Sequence, residues 1–266
     1  MPRLTALRGW STRIVFLARG IGVLPAFSIV IPAFNEADNV GPLAREILAV
    51  LPAKAEFEVI FVDDASTDKT ADEVLAVRAE DRRVRLLRHR QNAGQSAAIR
   101  NGAKIARYDW VVTMDGDGQN DPADIPKLFA AMEDTPAEPP LGLVGGLRLK
   151  RQDTAARRIV SRSANAIRQA VLRDNCRDTG CSLKAIRRDL LNDLPNFRGL
   201  HRYLPALTLA FGYATRFVDV NHRPRAAGSS KYTNWGRAMV AFRDMLGVLW
   251  LRDRAAAPFP YEVDGS

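Results

Sequence analysis

Cysteine is nearly absent from this chain of 266 residues, where only Cys176 and Cys181 occur. A lone pair five residues apart makes neither a disulfide framework nor a complete zinc site, so both read as reduced packing residues of a cytosolic protein. Long apolar runs are missing too, and nothing approaches the roughly 18 uninterrupted residues of a membrane-spanning helix. Ala238–Leu251 is broken by Arg243 and Asp244, and the first 26 residues by Arg3, Arg8, Arg13 and Arg19. There is no Gly-x-x-x-x-Gly-Lys-Ser/Thr loop and no Gly-x-Gly-x-x-Gly fingerprint, which excludes the P-loop and dinucleotide-binding ways of holding a nucleotide. Acid is scarce between residues 147 and 173, where Arg148, Lys150, Arg151, Arg157, Arg158, Arg162, Arg168 and Arg173 face Asp153 alone, in a chain of net charge +9. Such a stripe meets phosphate, on nucleic acid, lipid or substrate. Without a recognised nucleic-acid fold or interleaved aromatics, nucleic acid is the weakest of the three.

What is present alternates strand and helix from Phe27 onward. Apolar runs at Phe27–Pro32, Glu58–Val62, Val84–Leu87 and Trp110–Met114 read as strands. Helical patterns fall at Asp38–Leu51, Asp68–Ala79, Gly94–Ala106 and Pro122–Met132. This alternation predicts an α/β domain with a mostly parallel sheet covered by helices on both faces. Further strands are expected at Gly142–Leu147, Ser182–Ile186 and Arg216–Val220. A helix is expected from Asp153 to about Arg173 and an amphipathic one at Trp235–Leu251. The expected organisation is a basic extension over residues 1–26, a catalytic domain over 27–235, and an amphipathic C-terminal helix and tail over 236–266.

The chemistry concentrates where strands end. Trp110–Met114 runs into Asp115-Gly116-Asp117-Gly118-Gln119, which puts two carboxylates and an amide into a glycine turn. α/β sheets bind ligands at the carboxyl ends of their strands. Hard oxygen ligands at this spacing suit Mg²⁺ or Mn²⁺ shared with substrate phosphates. Three more segments join it: Ile31-Pro32-Ala33-Phe34-Asn35-Glu36, Val62-Asp63-Asp64-Ala65-Ser66-Thr67-Asp68, and Arg225-Ala226-Ala227-Gly228-Ser229-Ser230-Lys231. Asp63 and Asp68 read as turn and helix-cap residues. Arg225 and Lys231, six apart around a Gly-Ser-Ser turn, suit a phosphate-binding loop.

In this order the four segments resemble the family 2 glycosyltransferases, and within them the polyprenyl-phosphate sugar transferases of the dolichol-phosphate mannosyltransferase type. The likeness runs from about Phe27 to Lys231. It implies a Rossmann-like GT-A fold and a nucleotide-sugar donor, with Pro32, Phe34 and Glu36 bordering the nucleotide and Val62 and Asp64 on base and ribose. It places Asp115, Gly116, Asp117 and Gln119 at the metal and diphosphate, and Arg225 and Lys231 over the diphosphate. Phe34 stands where the family often has tyrosine, leaving a stacking face without a hydroxyl. Arg148, Arg157 and Ser161 match positions that contact a lipid phosphate.

The expected activity is inverting transfer of a hexose, mannose or glucose, from a nucleoside diphosphate to polyprenyl phosphate. The enzyme would sit peripherally on the cytoplasmic face of a membrane, helped by its basic and amphipathic segments. The alternative is a family member acting on a glycan or other hydroxyl acceptor. Such an acceptor needs deprotonation, and Asp178 in Arg177-Asp178-Thr179-Gly180-Cys181 is the candidate base. The absence of a Gln-x-x-Arg-Trp motif sets the chain apart from the polysaccharide-building members.

Overall fold

Parallel strands buried on both faces are written as near-continuous apolar runs, and such runs form the centre of this protein's sheet. The computed structural model describes residues 24–133, 138–148, 168–224 and 234–255. In it β1 (Phe27–Ala33) pairs in parallel with β2 (Phe57–Asp63) on one side and β4 (Trp110–Thr113) on the other, and β3 (Val84–Arg88) extends the sheet beyond β2. Past β4 come β6 (Lys184–Arg187), β5 (Leu141–Arg148) and β7 (Ala214–Val220), giving the order β3-β2-β1-β4-β6-β5-β7. Only β6 runs against its neighbours, antiparallel to both β4 and β5. The mostly parallel α/β sheet expected from the alternation is therefore present, with β6 making it mixed.

Helices cover both faces. Phe27, Ile29 and Ile31 point to the side packed by α1 (Ala37–Val50), α2 (Thr70–Glu80) and α4 (Ile125–Ala130). Val30, Ile60 and Val62 point to the side of α3 (Gln95–Ile105), α5 (Arg188–Asp193), α6 (Leu200–Ala210) and α7 (Asn234–Arg254). The period of two along each strand produces this division. Helix α3 comes close to the sheet because Gly102 has no side chain: a Cβ there would lie 2.4 Å from a Val30 methyl and 3.1 Å from one of Val62.

Some expected elements differ from those observed. The helix expected over Pro122–Met132 is split into a 3₁₀ turn at Pro122–Asp124 and α4. Pro126 has no N–H to return to the Pro122 carbonyl, so Ile125 N–H bonds there instead and the turn tightens. Of the helix expected from Asp153 to Arg173, residues 168–172 are helical and those up to 167 lie outside the described residues.

Strand order decides where a ligand binds. From β1 the chain builds outward through β2 and β3, then returns to place β4 on the opposite side of β1. The crevice at the carboxyl ends of β1 and β4 is thus a topological switch point. Residues 32–36 and 115–119 meet there.

Candidate active site

Gly116 lets the two strand ends approach. A Cβ on it would stand 3.0 Å from the Pro32 carbonyl oxygen, so the β4 turn lies directly against the end of β1. Gly118 takes φ +73°, the left-handed region that glycine enters without strain. Asp117 Oδ1 accepts from Gln119 N–H at 3.1 Å, closing the turn. Buried Asn120 accepts from Asp115 N–H at 3.1 Å and from the Ser182 hydroxyl at 2.6 Å, tying the turn to the residues before β6.

Asp115 and Asp117 are close enough to repel. Burial first, and then the Asp117 charge, push the Asp115 carboxyl above its usual range, against a Ser182 hydrogen bond and the charges of Lys184 and Arg148. Gln95 at the start of α3 donates to Asp115 Oδ1 at 2.8 Å. Two crowded oxygen donors of like charge fit a hard divalent cation. Among the described residues no three or more His, Cys, Asp or Glu side chains converge, so a cation on Asp115, Asp117 and the Gln119 amide would draw further ligands from substrate and water.

The ends of β1 and β2 carry two interlocked loops. Asn35 N–H donates to the Ser66 hydroxyl at 3.0 Å, Thr67 N–H to Asn35 Oδ1 at 2.8 Å, and Glu36 N–H to the Thr70 hydroxyl at 2.9 Å. Asp63 accepts from Ser66 N–H, closing the expected turn, and Asp68 accepts from Thr70 and Ala37, the first residues of α2 and α1. Phe34 is exposed at the mouth of the crevice, and Glu36 accepts from the Asn39 amide at 2.6 Å.

Three of the expected site residues have side chains engaged within the chain. Val62 is fully buried against Val30 and α3, so its side chain faces the core and not the crevice. Asp64 is buried, and its carboxylate accepts from Ala93 N–H, Gly94 N–H and His89 Nδ1 at 2.7 to 2.8 Å. Because the Asn101 amide nitrogen donates to His89 Nε2, the imidazole proton sits on Nδ1, facing Asp64. Asp64 therefore shapes the 89–94 loop, with three of its acceptor positions bonded within the chain. Asp178 is likewise committed: Arg148 Nε donates to Oδ2 at 2.6 Å and Nη2 to Oδ1 at 2.7 Å. A carboxylate saturated by a guanidinium is a poor proton acceptor, and the role of base does not fit it.

Beside Asp115 opens a pocket of about 320 Å³ lined by Gln95, Thr179, Ser182, Lys184, His201 and Arg202 among others. Lys184, Gln95 and Ser182 were not singled out from the sequence, because single polar residues on β6 and α3 carry no local motif. His201 and Arg202, in the first turn of α6, enter the same wall. His201 Nδ1 lies 2.8 Å from the Ser96 hydroxyl, and burial foremost, with the charges of Arg202 and Lys184, lowers its pKa to about 3. It is a neutral imidazole at any ordinary pH. Cys176 and Cys181 are free, buried thiols.

Arg225, Lys231, Arg157 and Ser161 lie outside the described residues, as does the extension up to residue 23. The chain leading to Arg225 is fastened to the Asp115–Gln119 turn. Arg223 N–H donates to the Gln119 carbonyl at 2.9 Å, and the Arg223 guanidinium pairs with Glu46 and Asp121, both at 2.7 Å.

Comparison with known proteins agrees with this geometry. The family described as Glycosyl transferase family 2 matches residues 28–194. A dodecaprenyl-phosphate galacturonate synthase of Rhizobium johnstonii is 34% identical over 87% of this chain and 68% of its own length. An undecaprenyl-phosphate 4-deoxy-4-formamido-L-arabinose transferase of Pseudomonas fluorescens is 37% identical over 77% of this chain and 60% of its own. The chain thus spans only part of these relatives. In fold it resembles the glucosyl-3-phosphoglycerate synthase of Mycobacterium tuberculosis, crystallised with Mn²⁺, UDP and glucosyl-3-phosphoglycerate, with a TM-score of 0.65 at 19% identity over 88% of this chain and 81% of that one. The switch-point crevice, the strand-end carboxylates and the matched span from β1 to the end of α5 lead to one conclusion: this chain belongs to glycosyltransferase family 2 and has the GT-A fold.

Proposed function

We propose that this protein transfers a glycosyl group from a nucleoside diphosphate sugar to a polyprenyl phosphate, with inversion at the anomeric carbon, as a dolichol-phosphate mannosyltransferase does. The observation that carries the reading is Asp115, which belongs at once to the switch-point crevice and to the wall of the 320 Å³ pocket. A diphosphate at the carboxylates would thereby direct its sugar into the pocket. The relatives named above act, by their names, on polyprenyl phosphates, which supports the acceptor class. Mannose or glucose is the proposed hexose.

Asp115, Asp117 and Gln119 would hold Mg²⁺ or Mn²⁺, which as a Lewis acid neutralises charge on a departing nucleoside diphosphate. Arg225 and Lys231 are proposed to lie over the same diphosphate, on the segment rooted by Arg223. Pro32, Phe34 and Glu36 border the nucleotide, with Phe34 offering a ring face. The acceptor phosphate is already anionic at neutral pH, so positioning replaces general-base catalysis. That agrees with the commitment of Asp178 to Arg148. Arg157 and Ser161 remain the proposed acceptor side, while Arg148 is held by Asp178.

Membrane contact at the cytoplasmic face is proposed through α7. Its Met245 and Val248 are buried, whereas Phe242, Leu246 and Trp250 recur every four residues as an exposed apolar ridge beside Arg243 and Arg254. This pattern suits an interfacial helix on an anionic lipid surface. No helix among the described residues is long and apolar enough to cross a membrane.

The test is a donor screen. Radiolabelled GDP-mannose, UDP-glucose, UDP-N-acetylglucosamine and UDP-galacturonate are each incubated with a polyprenyl phosphate and Mg²⁺ or Mn²⁺, then extracted into organic solvent. Label in the organic phase that depends on enzyme, metal and lipid is expected from one donor. Label that moves only to soluble hydroxyl acceptors would overturn the acceptor assignment.

A further inference from the structure

The charged lining of the pocket is lopsided. Asp115 is its one carboxylate, and Lys184 and Arg202 are its cations. Lys184 is only 3% exposed, and its ammonium donates to the Cys181 carbonyl. A neutral carbonyl satisfies one of three N–H donors and cancels none of the charge. Among the described residues neither cation lies within ion-pair distance of a carboxylate. His201 between them is neutral and adds no charge at physiological pH. If Asp115 is committed to a divalent cation, as proposed above, two positive side chains remain at the pocket with no carboxylate among the described residues to meet them. Lysine is rarely buried without a partner, so the arrangement favours an anionic ligand.

Arg148 does not fill this role. Its guanidinium is neutralised by Asp178 and stands behind Gly180, where a Cβ would come within 2.7 Å of Arg148 Nη2. It buttresses the pocket wall, and Lys184 and Arg202 form the face.

We propose that Lys184 and Arg202 form an oxyanion-binding subsite in this pocket, beyond Asp115 from the diphosphate. The inference rests on the glycosyl-transfer reading for its position, and its chemistry fits two sources: the phosphate monoester of the acceptor, or the carboxylate of a uronosyl donor. Lysine supplies a buried point charge and arginine a planar fork, a pairing that suits either group.

The experiment titrates the full chain, in Mg²⁺ and without nucleotide, with dimethylallyl phosphate and separately with glucuronate, reading binding by calorimetry. Lys184→Met and Arg202→Gln should each weaken the bound probe by at least about tenfold. The probe that loses affinity identifies the source, and loss of both assigns the subsite to either oxyanion. Lys184→Arg should recover most of the binding, which a merely structural lysine would not explain. Should Lys184→Met fail to fold by circular dichroism, the partly exposed Arg202→Gln and the Lys184→Arg rescue decide the matter. UDP and GDP binding with Mn²⁺, measured in parallel, should stay within about twofold in Arg202→Gln, since Arg202 is not among the charges that act on Asp115. Failure of the wild type to bind either diphosphate would remove the functional reading while leaving the anion result to stand or fall separately. Absence of binding of both probes to the wild type, or equal binding by wild type and both variants, would overturn the subsite.

Discussion

Asp178 receives Arg148 through two parallel hydrogen bonds of 2.6 and 2.7 Å, and the Arg148 backbone N–H points at the same carboxylate from 3.3 Å. The pair joins the end of β5 to the loop before β6 and closes the wall of the pocket from behind. Burial lowers and Asp178 raises the Arg148 pKa, and the carboxylate wins, so the guanidinium stays charged. The residue whose type suggested a base works as a fastening.

Asp178→Ala should therefore act mainly on stability. Removing one partner of a buried pair leaves the other charge uncompensated, a loss of about 3 to 5 kcal/mol. Urea denaturation measures it. The acidic limb of the kcat profile should survive in the milder Asp178→Asn variant, and its disappearance would restore the role of base.

Asp117→Asn should leave the fold intact and lower metal-dependent turnover on the order of a hundredfold or more, because the amide keeps the shape and loses the charge. Near-normal rates at saturating Mn²⁺ would remove Asp117 from the metal site.

Asp115→Asn should raise the stability of the metal-free protein while abolishing turnover. Burial and the Asp117 charge disfavour the ionised Asp115, and an amide relieves both while its oxygen still accepts from Gln95. Thermal melts in chelator, with and without the substitution, supply the comparison; an unchanged or lower Tm would contradict it.

His201 makes acid stability predictable. Its folded pKa of about 3 lies below the ordinary 6.5, so the unfolded chain binds the extra proton between those values. Stability is full above pH 6.5 and declines as pH falls toward 3. His201→Gln should flatten that part of the stability curve, and parallel curves for the two proteins would show that the imidazole does not contribute.

Gly102→Ala tests the packing of α3. The new methyl would meet Val30 at 2.4 Å, so helix or strand must shift, at about 1 to 3 kcal/mol. A denaturation midpoint within error of wild type would mean that the helix moves freely.

Much of this architecture was legible locally. The strands of the parallel half are apolar runs, and Asp115–Gln119 marks its own turn through its glycines. Asp63 and Asp68 carry the spacing of turn and cap residues. Where reading failed, the missing information was a distant partner. Asp178 looks like a candidate base until Arg148, thirty residues away, is seen to saturate it. Asp64 looks like a ligand for ribose until the 89–94 loop folds over it, and Val62 ends a strand on its inward side. The break in Pro122–Met132 follows from Pro126, whose missing N–H only matters once the helix has tried to continue.

The sequence alone determined the fold class, the family and the identity of the strand-end motifs, because each rests on periodicity or on residues adjacent in the chain. Only the tertiary structure decided which polar residues converge. Gln95 from α3, Ser182 and Lys184 at β6, and His201 and Arg202 from α6 come from separate elements and share one pocket with Asp115. Their meeting depends on β6 running antiparallel against β4 with Thr113 opposite Lys184, a register set by packing both faces of the sheet and not by any neighbour in the chain.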